Sequence, residues 1–300
     1  MAFASLPPTP RPLSVWRRAG LFSRDFGRHP GAAVGVVILV VLVLAAIFAP
    51  WIAPFDPAAT DAGMRLAPPD GVTLFGTDLH GRDIFSRIVW GGRYSLTVGI
   101  ATVLLALIVG SAIGILLGYS GGKVDAVGSR LIDVMLGFPS VVLAILVVVV
   151  LGVGLVNVVI AVGIAQVPRF ARVARAAVLV TKEQLFIDAA RAMGAPGGFI
   201  MTRHLLPNVV PVLIVLGTLN LGEAILSTAT LSFLGLGAQP PTPEWGAMLN
   251  GGREYMRYAP WMMIFPGAAL FLSVMSVNLI GDRLSQILDP KSRLRQGGIR

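Results

Sequence analysis

Residues Thr181–Asn208, TKEQLFIDAARAMGAPGGFIMTRHLLPN, form a polar, charge-bearing segment between two long apolar runs near the centre of the chain. Thr181 with Gln184 three residues on has the form of a capping box, and Leu185 to Met193 are good helix formers. Gly194 and Pro196 end that run, and a second short helix is predicted from about Gly198 to Leu206, before Pro207 opens a new apolar segment. The product is a helix, a turn and a helix exposed between membrane spans. Connections are short unless they have a function, so this one is a candidate functional element.

Outward from this stretch the chain is apolar. Of its 300 residues 55% are hydrophobic and 13% charged, and the mean hydropathy is +0.79, which places it among integral membrane proteins. The pattern predicts an all-α membrane protein with six transmembrane helices at about 31–53, 95–118, 134–151, 156–178, 208–234 and 260–281. A Pro- and Arg-rich arm covers 1–30, the transmembrane domain 31–282 and a basic tail 283–300, with no internal repeat. The first apolar run ends in Pro50 and Pro54 rather than at a small-residue cleavage site, so it is expected to be retained as a span. Val134 to Pro168 is a run of 35 uncharged residues. As one helix it would measure about 52 Å, against a hydrocarbon core of about 30 Å, so a hairpin turning at Gly152–Asn157 is predicted. Gly99, Gly110, Gly114 and Gly118 in the second span give a spacing that lets helices approach closely. Before that span, Arg82, Asp83, Ser86 and Arg87 share one helical face and Ile84, Phe85, Ile88 and Val89 the other. That pattern suits either an amphipathic helix lying in the membrane interface or an anchor for the span that follows.

Six spans put both termini on one side. The segments 1–30, 119–130, 168–207 and 282–300 hold five, two, six and five Lys and Arg, 18 of the 24, whereas the opposite loops hold six. The positive-inside rule makes both termini and the loop 181–207 cytoplasmic. This topology also accounts for the net charge of +9 without nucleic acid. Arg169, Arg172 and Arg175, three residues apart, lie close to one helical face, either as topological flanking charges or as contacts to lipid phosphate or a partner.

No catalytic constellation is recognisable, and the chain is not expected to be an enzyme. There is no cysteine, and His29, His80 and His204 make no spaced ligand pair, so no metal site is predicted. GYSGGKV, which resembles a phosphate-binding loop, has Leu117 at the first required glycine and Val124 after the lysine. Glu223 is the ionisable residue well inside a span, with Asn220 and Ser227 on its helical face. A carboxylate there faces a cavity or a partner by default, which makes the three a possible translocation path.

DAARAMGAPGGFIMTRHLLP resembles the cytoplasmic loop of bacterial ABC importer permeases, in which Glu-Ala-Ala is followed by Gly, Ile and Leu-Pro. Asp188, in place of the glutamate, Ala189, Ala190, Gly194, Ile200, Leu206 and Pro207 occupy those positions. FGTDLHGRDIFSR, GYSGGKVDAVGSRLIDVMLGFPS, LSFLGLGAQPP, PEWGAML and NLIGDRLSQILDP resemble the second permease subunit of the dipeptide, oligopeptide and nickel branch, and the likeness runs from about residue 13 to 290. The resemblance implies an inner-membrane heterodimer with a homologous permease subunit, two ATP-binding subunits below and an extracytoplasmic substrate-binding protein above. ATP and Mg would be bound by the ATPase partners, and this chain would hold no cofactor. Leu185, Asp188, Ala189, Ala190, Arg191, Gly194, Ile200, Leu206 and Pro207 would dock an ATPase subunit. The substrate implied is a di- or oligopeptide, with nickel or another small solute as the alternative. An ion-coupled transporter or channel using Glu223 is the competing class.

Overall fold

A computed structural model describes residues 29–60 and 62–288. The Arg-rich arm up to residue 28 and the tail containing Lys291, Arg293, Arg295 and Arg300 lie outside the described residues. The regular elements among those described are all helices, with no strand. Helix α1, Pro30–Ile47, starts on its proline, which lacks only a hydrogen bond the first turn could not make. A short α2, Ala49–Ile52, ends the first apolar run.

Helix α3, Ile84–Ser120, is one element of 37 residues, about 55 Å long. The segment predicted as an interfacial helix is therefore its first turns, not a separate element. Its polar face is not exposed to headgroups either, because Arg82, Asp83, Ser86 and Arg87 are all buried. Asp83 caps the helix, accepting from the Ser86 N–H at 2.7 Å. Arg87 donates to the carbonyls of Pro57 at 2.7 Å and Pro241 at 3.2 Å, tying together the two long loops at this end of the bundle. Asp78 neutralises Arg82 at 2.6 Å and lies 3.7 Å from Arg87. Folded loops supply the partners that water and lipid headgroups would otherwise have provided.

Helix α4, Gly122–Leu136, and α5, Ser140–Leu151, meet at 95° across Gly137–Pro139. The third span is thus not a straight helix over 134–151. Residues 134–136 finish the amphipathic α4, and the bend falls just before Pro139, which disfavours helix in the residue ahead of it and cannot donate to the turn before it. The next turn is at Gly152–Gly154, where φ is +88° at Gly152 and +140° at Gly154. Helix α6, Leu155–Lys182, follows. Residues Leu206–Phe233 form α8 and Trp261–Leu288 form α10, with α7 in the loop described below and the eight-residue α9, Trp245–Gly252, wedged beside α8 and α10. Five helices are long and apolar enough to cross a membrane, or six when the bent α4–α5 pair is taken as one span.

Helices α3 and α6 pack closely along much of their length. A Cβ on Gly114 would lie 2.2 Å from the Ala171 carbonyl oxygen, and one on Gly110 would lie 2.7 Å from that of Val167. Glycine at those positions lets α6 bury Phe170, Ala171, Ala174 and Val178 against α3.

At the end of the bundle shared with the long loops, Glu244 caps α9. It accepts from the N–H groups of Gly246 at 3.0 Å and Ala247 at 2.9 Å, and from the Ser95 hydroxyl at 3.1 Å. Burial nevertheless pushes the Glu244 carboxyl above its ordinary 4.5. A folded-state pKa above the unfolded one adds stability that is complete below about 4.5 and disappears as pH rises through the folded value. Glu244→Gln, which keeps an acceptor without the charge, is expected to flatten the fall of the melting midpoint with rising pH in the detergent-purified transporter. Superimposable profiles would show that Glu244 ionises in the fold as freely as in the unfolded chain.

Candidate docking loop and interhelical ion pairs

Helix α6 runs to Lys182, past the end predicted near 178. The predicted capping box is absent. Thr181 lies in the last turn of α6 and donates to the Ala177 carbonyl at 2.7 Å, while Gln184 precedes the next helix without a side-chain cap. Continuous helix was available through Thr181, so its hydroxyl bonds backwards to the i−4 carbonyl instead of forwards. Lys182 donates to the carbonyls of Gly118 at 3.1 Å and Tyr119 at 2.9 Å. This fixes the start of the loop to the C-terminus of α3, where orphan carbonyls and the helix dipole favour a cation.

Helix α7, Leu185–Ala192, ends on a Schellman motif. The Ala195 N–H donates to the Ala190 carbonyl at 3.0 Å and the Gly194 N–H to that of Arg191 at 2.9 Å. Gly194 has φ +79°, and a Cβ there would meet no atom within 4 Å. The backbone conformation, rather than space, requires glycine.

The second arm is not a helix closed off at Pro207. One helical turn at Gly197–Phe199 leads into a π-helix, Ile200–Leu205, which continues unbroken into α8. The Leu206 N–H reaches back five residues to the Met201 carbonyl. Pro207 cannot donate and would crowd the carbonyl four residues behind it; a widened turn just ahead of it accommodates both effects. The loop is therefore mechanically joined to the fifth span.

The docking residues named from the sequence divide into two sets. Ala190 and Ile200, each 3% exposed, pack with Ile187 and Leu205 against Ala174 and Val178 of α6 and Val209 and Leu213 of α8. They seat the loop on the bundle and are not part of its outer surface. Asp188, Ala189, Arg191, Gly194 and Pro207 face outward, Leu206 is half-buried, and Arg191 lies 3.4 Å from Asp188. Leu185 is 86% and Met193 81% exposed, at opposite ends of α7. The sequence marks Met193 only by its position immediately before Gly194.

Asn220, Glu223 and Ser227 do not converge on one surface. Asn220 is buried and donates to the Leu216 carbonyl at 2.7 Å, Glu223 is outward, and Ser227 is half-buried. Glu223 is paired with Arg169 of α6 at 2.5 Å. Arg172 pairs with Asp133 and Arg175 with Asp125, the latter through two nitrogens, one of them 2.6 Å from Oδ2. The three arginines thus form an ion-pair ladder from α6 to α8 and α4. Asp125 and Asp133 stand eight residues apart, and so on one face of α4, which was the available signal. Helix adjacency was needed to read it. Among the described residues no group of three His, Asp or Glu is arranged to hold a metal ion.

The multi-span helical bundle and its exposed helical loop define an α-helical membrane protein. The sequence matches the family described as binding-protein-dependent transport system inner membrane component over residues 110–294, and the N-terminal TM domain of oligopeptide transport permease C over 14–69. It is 45% identical to the dipeptide transport system permease protein of Alkalihalophilus pseudofirmus over 281 residues, covering 94% of this chain and 91% of that one. It is 46% identical to a glutathione transport system permease protein of Escherichia coli over 271 residues, covering 90% and 89%. The fold matches the inward-facing MetNI methionine ABC transporter with a TM-score of 0.57 and 22% identity, over 69% of this chain and 98% of that one.

The chain belongs to the binding-protein-dependent transport system inner membrane components, the multi-pass permease subunits of ABC importers. Such permeases are not enzymes; they work with ATPase and substrate-binding partners.

Proposed function

We propose that this chain forms half of the translocation path of an ATP-driven importer of di- or oligopeptides, beside a homologous permease subunit. Two ATPase subunits hold ATP and Mg, and a binding protein delivers substrate from the other side. Both termini and the 181–207 loop face the cytoplasm, as the distribution of Lys and Arg favours. The observation that carries the docking role is α7 itself. A rigid helix with Leu185 and Met193 almost fully in solvent, joined through a continuous backbone to α8, needs an apolar partner surface and transmits its displacement to the bundle. The peptide reading rests on relatives named for dipeptide and glutathione transport that are 45% and 46% identical.

Nickel or another small solute is the alternative cargo. Against an ion-coupled mechanism using Glu223 stands the 2.5 Å contact with Arg169, since a paired carboxylate is a poor lone ion site. Reconstitution with the partner subunits in liposomes is expected to give dipeptide uptake that requires both ATP and loaded binding protein. Uptake by this chain alone, driven by an ion gradient, would refute the reading. Uptake of nickel but not dipeptide would replace the substrate.

A further inference from the structure

The Arg169–Glu223 pair lies midway along α6 and is open, as the neighbouring Arg172–Asp133 pair is. Arg169 is at the middle of α6, about 20 Å from either end of the 28-residue helix. Its side chain is 51% exposed and that of Glu223 43%, whereas the Arg82–Asp78 pair at the end of the bundle is 10% and 9% exposed. A charged pair in mid-span is too costly to leave against lipid, so this face lines an aqueous passage or meets protein.

Gln166, one turn before Arg169, is buried and neither of its amide atoms has a partner. With Ser140 and with Ser227, one turn beyond Glu223, it lines a crevice between α5, α6 and α8 that is too narrow for a water molecule and separate from the ion pair.

We propose that Arg169 and Glu223 are a charge-exchange site for the two termini of a short zwitterionic peptide in passage, an inference that rests on the peptide-importer reading above. Empty, the pair is self-neutralised, and a lone ion gains little because capturing it would leave the opposite side chain bare. A zwitterion supplies both replacements. Its carboxylate takes the place of Glu223 on the Arg169 fork, and its ammonium takes the place of Arg169 on Glu223. No covalent bond or proton is transferred, and the charge of the passage is the same before and after.

The test uses the purified membrane complex of permease and ATPase subunits without binding protein, so that the binding protein's own selectivity does not intervene. Saturation-transfer NMR would compare Ala-Leu with its N-acetylated and C-amidated forms. The free dipeptide is expected to give a signal that falls roughly tenfold when either terminus is blocked, and equally in R169Q or E223Q. Equal signals from free and blocked peptides on the unmodified complex would overturn the proposal, and that comparison does not depend on any variant folding. Should the complete importer take up dipeptides while blocked and free peptides bind alike, this inference fails alone. Should it take up no dipeptide, the peptide reading fails with it.

Discussion

Gly114→Leu is expected to abolish accumulation of folded protein in the membrane. The first side-chain carbon alone would come 2.2 Å from the Ala171 oxygen and 2.7 Å from the Ala174 Cβ. The nearest of these atoms is backbone, so no rotamer change relieves the contact and α3 and α6 must separate. Separation loosens the fit of Phe170, Ala174 and Val178, and close van der Waals fit is what associates helices where lipid removes the hydrophobic driving force. A loss of about 3 kcal/mol is expected, read as a large drop in melting midpoint and yield on size-exclusion fluorescence. Gly217→Ala is the control, because its nearest side-chain atoms would be 3.7 Å and 3.8 Å away. In mid-helix that change is expected to be neutral or stabilising by up to about 1 kcal/mol. A Gly114→Leu protein that melts like wild type would mean that α3 and α6 do not pack this closely.

Leu185→Asp is expected to have the opposite profile, with stability kept and coupling lost. Leu185 opens α7 and is 86% exposed, so nothing in this chain depends on its side chain, and an acidic residue in a first turn suits the helix dipole. Burying a leucine against a partner is worth about 1.5–3 kcal/mol, and burying an unpaired carboxylate there costs more. Affinity for the ATPase subunit is expected to fall on the order of a hundredfold, with uptake falling alongside it, while membrane insertion and melting midpoint stay unchanged. Ile187→Asp discriminates docking from seating. That residue is fully buried between α7 and the bundle, so its replacement should lower the melting midpoint itself. Undiminished co-purification of the ATPase subunit with the Leu185→Asp protein would remove α7 from the docking surface.

The division within the loop marks how far the sequence could be read. Glycine in the left-handed region at 194 and the polar α7 between apolar runs follow from residue types and spacing, because backbone conformation and amphipathic period are local properties. Whether Ala189 or Ala190 faces out is not local. Two adjacent alanines have the same propensity, and only the way α7 rests on α6 and α8 buries one and leaves the other in solvent. The capping box at Thr181 failed for a related reason: a motif of four residues competes with continuation of the preceding helix, and here the longer helix prevailed.

By itself the sequence determined the all-helical, multi-span architecture, a turn within Gly152–Asn157 and the exposed loop that follows the fourth apolar run. Apolar run length and glycine positions are properties of consecutive residues. Only the tertiary structure decided that Arg87 is buried by two distant loops, that the α4–α5 chain bends through 95°, and that Arg169, Arg172 and Arg175 each find a carboxylate on another helix. A charge in a sequence specifies a need for a partner but not which one. The partner is chosen when glycines bring α6 against α3 and helix packing sets which faces of α4 and α8 lie beside it.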